Sequence, residues 1–113
     1  MPDCLFCRIA QGELDSDIVH SSEEVIAFRD INPAAPTHVL IVPKRHIASA
    51  AELARSDGEL LAKIFEIVSE IATQEGLDGG YRVVTNVGPD AGQSVHHLHL
   101  HLIGGRHMSW PPG

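Results

Sequence analysis

Three histidines alternate with leucines near the end of the 113-residue chain, at His97, His99 and His101. Side chains of a strand alternate between its two faces, so this spacing predicts one face of imidazoles and one of leucines. Successive imidazoles then stand roughly 6.6–7 Å apart, close enough to line one groove. A neutral imidazole is a nucleophile, a proton carrier and a metal ligand. The pattern therefore leaves three interpretations open: a solvated polar face, a metal site or a catalytic site.

The loop just before these histidines favours the catalytic interpretation. Residues 88–94 contain two glycines, whose backbone can approach a phosphate closely, and Gln93 and Ser94 add side-chain donors. By itself this segment is typical of a plain connection between two strands. Next to a face of histidines it predicts a phosphate-binding loop, and so favours catalysis by the histidines over the other two interpretations.

Charge and composition limit the classes of ligand and the cellular location that we expect. The formal net charge is −7 and the sequence pI is about 5.5, which argues against binding of long nucleic acids, because a basic surface usually supplies that affinity. A single nucleotide needs only a few donors. The first residues lack a basic region followed by a long apolar run, so we expect no targeting segment, no membrane contact and a cytoplasmic location. Cys4 and Cys7 then indicate a thiol or metal site rather than a disulfide framework.

The elements that must position these residues follow from periodicity and from helix breakers. We predict a short helix over residues 5–11, closed by Gly12, and a long helix that begins with a capping box at Ser56 and Glu59 and ends at Gly76. The long helix has an apolar stripe at Leu60, Leu61, Ile64, Phe65, Val68, Ile71 and Ala72. Strands are predicted at residues 18–20, 25–29, 38–43, 81–86 and 95–103. This order predicts one α+β domain with a mostly antiparallel sheet.

The histidine segment also resembles a known family. Residues 97–103 match the pattern of the histidine-triad (HIT) family, in which three histidines alternate with apolar residues and two apolar residues follow the last histidine. Similarity to the Hint branch extends in colinear order to residues 28–33, 35–38, 43–47, 92–95 and 104–113. The resemblance implies a HIT-like fold, a single domain over residues 1–113 and a purine nucleoside phosphoramidase. Such enzymes cleave the bond between an adenylate or guanylate phosphorus and an amine.

At the matching positions the resemblance implies catalytic roles. His99 is the nucleophile that forms a nucleotidyl-histidine intermediate, which water then hydrolyses. His101 and the loop at residues 92–94 bind the phosphate oxygens, and Ser94 helps to protonate the leaving nitrogen. His97 holds the ring of His99 in the correct tautomer.

The resemblance also implies nucleoside contacts. Asp30 matches the carboxylate that binds the ribose hydroxyls, and Asn86 matches a residue near the phosphate. The apolar residues implied around the base are Leu5, Phe6, Ile9, Leu14, Phe28 and Ile31. The nucleotide site further includes Arg29, Asn32, Gly92, Gln93 and Val95. The apolar members are equally compatible with an ordinary core, and Asp30 by itself is typical of a turn.

Four residues, Cys4, Cys7, His46 and His97, match the ligands of a structural zinc site in some bacterial HIT proteins. Two thiolates and two imidazoles would make a closed tetrahedral site, so catalysis itself would need no cofactor. In the alternative, His46 and His97 form a metal-free hydrogen-bonding relay behind His99, and the cysteines are small core residues. We favour zinc.

The Hint branch implies a homodimer in which the two sheets join and the tail, residues 104–113, packs across the twofold axis. Trp110 would then lie near the partner's active site. The implied ligands are purine mononucleotides and their amine adducts. The alternatives are a regulatory nucleotide-binding module, a dinucleoside polyphosphate hydrolase as in other HIT branches, and a protein that binds zinc or copper at the histidine face.

Overall fold

A computed structural model of the protein describes residues 4–113. Its strands form one antiparallel sheet in the order β1-β2-β3-β5-β4. The elements are α1 (Leu5–Ala10), β1 (Ile18–Ser21), β2 (Val25–Arg29), β3 (Thr37–Pro43), α2 (Gly58–Gln74), β4 (Tyr81–Val84) and β5 (Leu100–Gly104). Short 3-10 turns lie at Ala50–Glu52, Arg55–Asp57 and Pro89–Ala91. The predicted α+β class with an antiparallel sheet, one long helix and one short helix is confirmed.

Each face of the sheet is covered by one helix. The larger cluster joins α2 to one face through residues such as Ile64 and Ile41. The smaller cluster joins Phe6 and Ile9 of α1 to Phe28 on the other face. Every residue of β3 is buried, because this strand lies at the centre of the sheet between the two clusters. Neither helix of the described chain has the length and apolar character needed to cross a bilayer.

The start and the buried stripe of α2 differ from the prediction. The capping box at Ser56 and Glu59 is wrong, because Asp57 closes a 3-10 turn there and its carboxylate accepts from the Ala54 N–H at 2.8 Å. Phe65 is 48% exposed, so its place in the buried stripe is also wrong. The buried residues of the helix are Leu60, Ile64, Ile67, Val68, Ile71 and Ala72. They form a narrower stripe that leaves Phe65 at its flank.

The last two strands are shorter than the predicted ranges of 81–86 and 95–103. Beyond Val84 the contact with the neighbouring segment is made by a side chain, since the Thr85 hydroxyl donates to the His99 carbonyl at 2.9 Å. Residues 95–99 lie outside the ladder, and the Leu98 N–H donates to the Ile47 carbonyl at 2.6 Å instead. The predicted alternation still holds, because the leucines at 98, 100 and 102 all belong to the cluster under α2.

Candidate functional site

His99 lies just before β5, at the floor of a cleft, and only 6% of its surface is exposed. Its Nδ1 lies 2.7 Å from the carbonyl oxygen of His97. A carbonyl oxygen only accepts, so Nδ1 carries a proton and the lone pair of the neutral ring lies on Nε2. The ring of Phe6 packs edge-on against the imidazole, with centroids 5.0 Å apart. These contacts fix the orientation of His99 and leave Nε2 as its nucleophilic atom.

His101 lies beside His99 in the same cleft, and their ring centroids are 5.0 Å apart. Its Nδ1 is 2.9 Å from Nε2 of His38. Burial, together with the neighbouring His99 and His38, lowers the pKa of His101 to about 4. The ring is therefore uncharged at neutral pH and carries a single N–H.

The cleft has a volume of about 720 Å³, which is in the range of small-molecule sites. Its lining contains many of the predicted site residues, namely Leu5, Phe6, Ile9, Leu14, Phe28, Asp30, Ile31, Ser94, Val95, His99 and His101. Four residues that were not predicted also line it, namely Asp15, Ser16, Asp17 and Leu40. Alternation along β3 could have identified Leu40, because it shares a face with His38. Residues 15–17 carry no comparable signal.

Other predicted nucleotide-site residues need separate description. Arg29 also lines the cleft, but its guanidinium donates to Glu75 at 2.7 Å, and this pair lowers the pKa of the Glu75 carboxyl. Alternation along β2 explains the difference, since Phe28 points into the cleft and Arg29 points to the opposite face. The lining does not include Asn32, Asn86, Gly92 or Gln93.

Gln93 holds the loop before Ser94 in shape rather than lining the cleft. Its side-chain Oε1 accepts from the Gly88 N–H at 3.0 Å, and its Nε2 donates to two backbone carbonyls at 2.8 and 3.0 Å. Gly88 and Gly92 have φ angles of 84° and 86°, which glycine adopts without strain. The clamped loop leaves Ser94 exposed at the cleft wall.

Cys4, Cys7, His46 and His97 form a second cluster, in which the four candidate ligand atoms lie within 4.8 Å of one another. Nδ1 of His97 is 3.2 Å from Sγ of Cys4 and 3.4 Å from Sγ of Cys7. Nδ1 of His46 is 3.3 Å from Sγ of Cys7. Two sulfurs and two imidazole nitrogens that converge on one point are the donor set of a structural zinc site. The cluster can therefore bind zinc, as we favoured over the metal-free relay.

His97 connects this cluster to His99. Its Nε2 donates to the Pro43 carbonyl at 2.7 Å, so the Nδ1 lone pair of the neutral ring points to the sulfurs. Burial lowers the pKa of His97, which favours the uncharged, metal-ligating ring. The group of His97 that contacts the ring of His99 is its backbone carbonyl, which holds the proton of His99 on Nδ1.

Comparison with known proteins identifies the family of this chain. The model of the HIT domain matches residues 11–108. The chain belongs to the HIT family. A HIT family hydrolase from Legionella pneumophila is 53% identical, with a TM-score of 0.97 over 98% of this chain and 100% of that one. A HIT family hydrolase from Clostridium thermocellum is 47% identical, with a TM-score of 0.94 over 96% of each chain.

A third similar protein bears on the metal. The 14 kDa zinc-binding protein of Zea mays is 48% identical over 111 residues, which cover 96% of this chain and 87% of that protein. Its description agrees with the converging cysteines and histidines described above. The HIT fold is confirmed, and both of these structural neighbours are described as hydrolases.

Proposed function

We propose that this HIT protein is a purine nucleoside phosphoramidase, which hydrolyses the P–N bond of adenylate or guanylate amine adducts. The observation that carries the proposal is the geometry of His99, whose Nδ1–H is held by a backbone carbonyl while Nε2 is left for attack at the floor of the cleft. A carbonyl acceptor does not titrate, so it keeps this tautomer available wherever the ring is neutral.

In the first step of the proposed reaction, the Nε2 lone pair of His99 attacks phosphorus and the P–N bond breaks. Positive charge develops on the imidazole, and the carbonyl of His97 stabilises it through the Nδ1–H. Ser94 stands at the cleft wall, where it passes a proton to the leaving nitrogen. In the second step, water attacks phosphorus, the P–Nε2 bond breaks, and the proton released by water replaces the one that Ser94 gave.

The same cleft has the chemistry of a nucleoside site. Much of its lining is apolar, and the rings of Phe6 and Phe28 meet edge-to-face with centroids 5.4 Å apart. A purine placed among these side chains would bury its faces without needing charged partners. Asp30 lines the cleft with a carboxylate, which accepts hydrogen bonds from both hydroxyls of a ribose.

The cysteine and histidine cluster has a structural part in the proposed enzyme. Zinc bound there would link the start of α1 to the histidine segment, and it would take no part in the bond-breaking steps. None of the cluster's four residues lines the cleft, and Cys7 and His97 are buried. No metal is therefore required for the proposed chemistry.

Adenosine 5′-phosphoramidate tests the proposal directly. We expect repeated turnover with release of ammonia, and His99→Ala should lower kcat by more than about 10³-fold, as removal of a nucleophile does in other enzymes. His20→Ala is a matched control, because His20 is a half-buried histidine of β1 outside the cleft lining. It should keep the activity of the unmodified chain.

The alternatives give different results in the same assay. A regulatory nucleotide-binding module would bind AMP but release ammonia at the same low rate with and without His99. A dinucleoside polyphosphate hydrolase would prefer diadenosine polyphosphates over the phosphoramidate. Either result would contradict the phosphoramidase assignment, as would full activity in His99→Ala.

A further inference from the structure

We propose that His38 is a positioning residue that holds the single proton of His101 on Nε2, so that His101 presents an N–H donor to the phosphate. His38 lies in β3 and is not part of the cleft lining. It acts through His101, which does line the cleft. The role of that donor rests on the proposed function, whereas the proton arrangement itself is a property of the ligand-free chain.

The arrangement begins with a backbone amide whose role is unambiguous. The Ala34 N–H donates to Nδ1 of His38 at 2.9 Å. A nitrogen that accepts from an N–H carries no proton of its own, so the ring proton of His38 lies on Nε2. The next bond follows from this assignment.

Nε2 of His38 lies 2.9 Å from Nδ1 of His101. Because Nε2 of His38 is the donor, Nδ1 of His101 is the acceptor and the proton of His101 lies on Nε2. Nδ1 of His101 is occupied by this bond, which leaves the Nε2–H for a group bound in the cleft. One backbone amide thus determines the donor that His101 offers, through two hydrogen bonds.

Asp30, His38 and His101 also place three candidate ligand atoms close enough to share a cation. The Ala34 amide argues against this use, since it occupies the Nδ1 lone pair of His38. His38 could bind a cation through Nε2 as well only as the imidazolate anion. Oδ2 of Asp30 instead lies 3.4 Å from Nε2 of His38, on the side of the ring that carries this proton.

The position of this proton matters because the lowered pKa of His101 leaves the ring uncharged above about pH 4. An uncharged imidazole has one donor and one acceptor. With the proton on Nδ1, the ring would turn a lone pair towards the phosphate oxygens and repel them. With the proton on Nε2, it donates to them as charge shifts in the transition state.

Two substitutions of His38 separate its hydrogen bond with Ala34 from its hydrogen bond with His101. His38→Asn keeps an acceptor near the Ala34 N–H but is too short to donate to His101. His38→Gln reaches His101 with an amide N–H but leaves the Ala34 N–H to water, at small cost because Ala34 is exposed. We expect His38→Asn to weaken AMP binding about 10- to 100-fold, the effect of losing a hydrogen bond to a charged group. His38→Gln should restore AMP affinity.

Nitrogen-15 NMR of the imidazoles gives a readout that a purely structural role would not change. In the ligand-free unmodified chain we expect His101 protonated on Nε2, and in His38→Asn a population protonated on Nδ1. Adenosine, which lacks a phosphate, should bind both variants as it binds the unmodified chain. This comparison separates a lost phosphate donor from a damaged base pocket.

Several outcomes would overturn the proposal: His101 protonated on Nδ1 in the unmodified chain, equal loss of AMP affinity in the Asn and Gln variants, or parallel loss of adenosine binding. If His38→Asn does not fold, the tautomer of the unmodified chain and the His38→Gln variant decide the question. A chain with the expected tautomers and AMP affinities that does not turn over phosphoramidates would contradict the proposed function alone.

Discussion

At the scale of single residues, the site is a set of imidazoles whose protons are placed by the backbone. The Pro43 carbonyl holds the proton of His97, and the His97 carbonyl holds that of His99. Main-chain groups do not titrate near neutral pH, so these assignments do not depend on a second ionisable partner. The lone pair of the His97 ring therefore faces the sulfurs of the cysteines, and that of the His99 ring is available to a ligand in the cleft.

The lowered pKa of His101 predicts that stability falls in moderately acidic solution. The unfolded chain binds a proton at this residue below about pH 6.5, whereas the folded chain resists it until about pH 4. The unfolded state therefore binds more protons across this interval, so the free energy of unfolding decreases as pH falls from 6.5 to 4. Urea unfolding of the metal-free chain at a series of pH values measures this slope.

His101→Gln is the control for this prediction, because it removes the titrating ring and leaves the lowered pKa of His97 in place. Its free energy of unfolding should depend less steeply on pH over the same interval. Identical slopes for the two chains would show that His101 has an ordinary pKa in the folded state.

At the scale of elements, α1 joins the metal cluster to the cleft. Cys4 caps this six-residue helix and Cys7 lies within it, while Leu5, Phe6 and Ile9 line the cleft. A helix this short is not stable alone in water and depends on its tertiary contacts. Candidate zinc ligands and cleft-lining side chains thus alternate along one short segment.

This connection predicts that zinc strengthens nucleotide binding. Removal of zinc with a chelator should free α1, lower the melting temperature and weaken AMP binding by at least about tenfold, since burial of one phenylalanine contributes about 1.5–3 kcal/mol. Elemental analysis measures the zinc content, and calorimetry measures the melting temperature and the affinity for AMP. Cys4→Ser should behave like the chelated chain, and re-addition of zinc should restore only the unmodified one. Equal AMP affinity with and without zinc would contradict the coupling.

The backbone conformation of the loop at residues 88–94 leads to a separate prediction about stability. Gly92 has a φ angle of 86°, so Gly92→Ala should destabilise the fold by about 1–2 kcal/mol. Gly79→Ala is the matched control, because Gly79 has an ordinary φ and open space around its Cα. Urea unfolding measures both variants. A Gly92→Ala chain as stable as Gly79→Ala would show that the loop relaxes without cost.

At the scale of the whole molecule, we propose that two copies join along β4. This strand pairs only with β5 within the described chain, so its other edge is open. Tyr81 on it is 44% exposed, and Trp110 in the tail is 81% exposed. An open strand edge next to exposed aromatic side chains is a favourable surface for pairing with a second sheet.

Sedimentation equilibrium should therefore give a mass near twice the 12.2 kDa of one chain. Trp110 is the single tryptophan, so its fluorescence reports on the tail without interference. Dilution that dissociates the dimer should shift its emission to longer wavelength as the indole enters water. A mass of one chain at micromolar concentration, with unchanged emission, would contradict the dimer.

Most elements of the fold could be predicted because their signals are local. Gly12 and Gly76 end the helices as expected, and β2 has the predicted bounds. The start of α2 and the ends of β4 and β5 could not be predicted, because they depend on partners distant in the chain. Thr85 and Leu98 leave the ladder for contacts with His99 and Ile47, which sequence patterns do not show.

The candidate site divides in the same way. Residue types and alternation by themselves determined that His99 and His101 share a surface, that leucines occupy the opposite one, and that two cysteines suit a metal, because chemistry and side-chain direction are local properties. Only the tertiary structure decided which atoms meet: the guanidinium of Arg29 pairs with Glu75, and the amide of Ala34 bonds to His38, which in turn bonds to His101. Hydrogen bonds have direction and short range, so the position of each proton is set only when the folded chain brings donor and acceptor together.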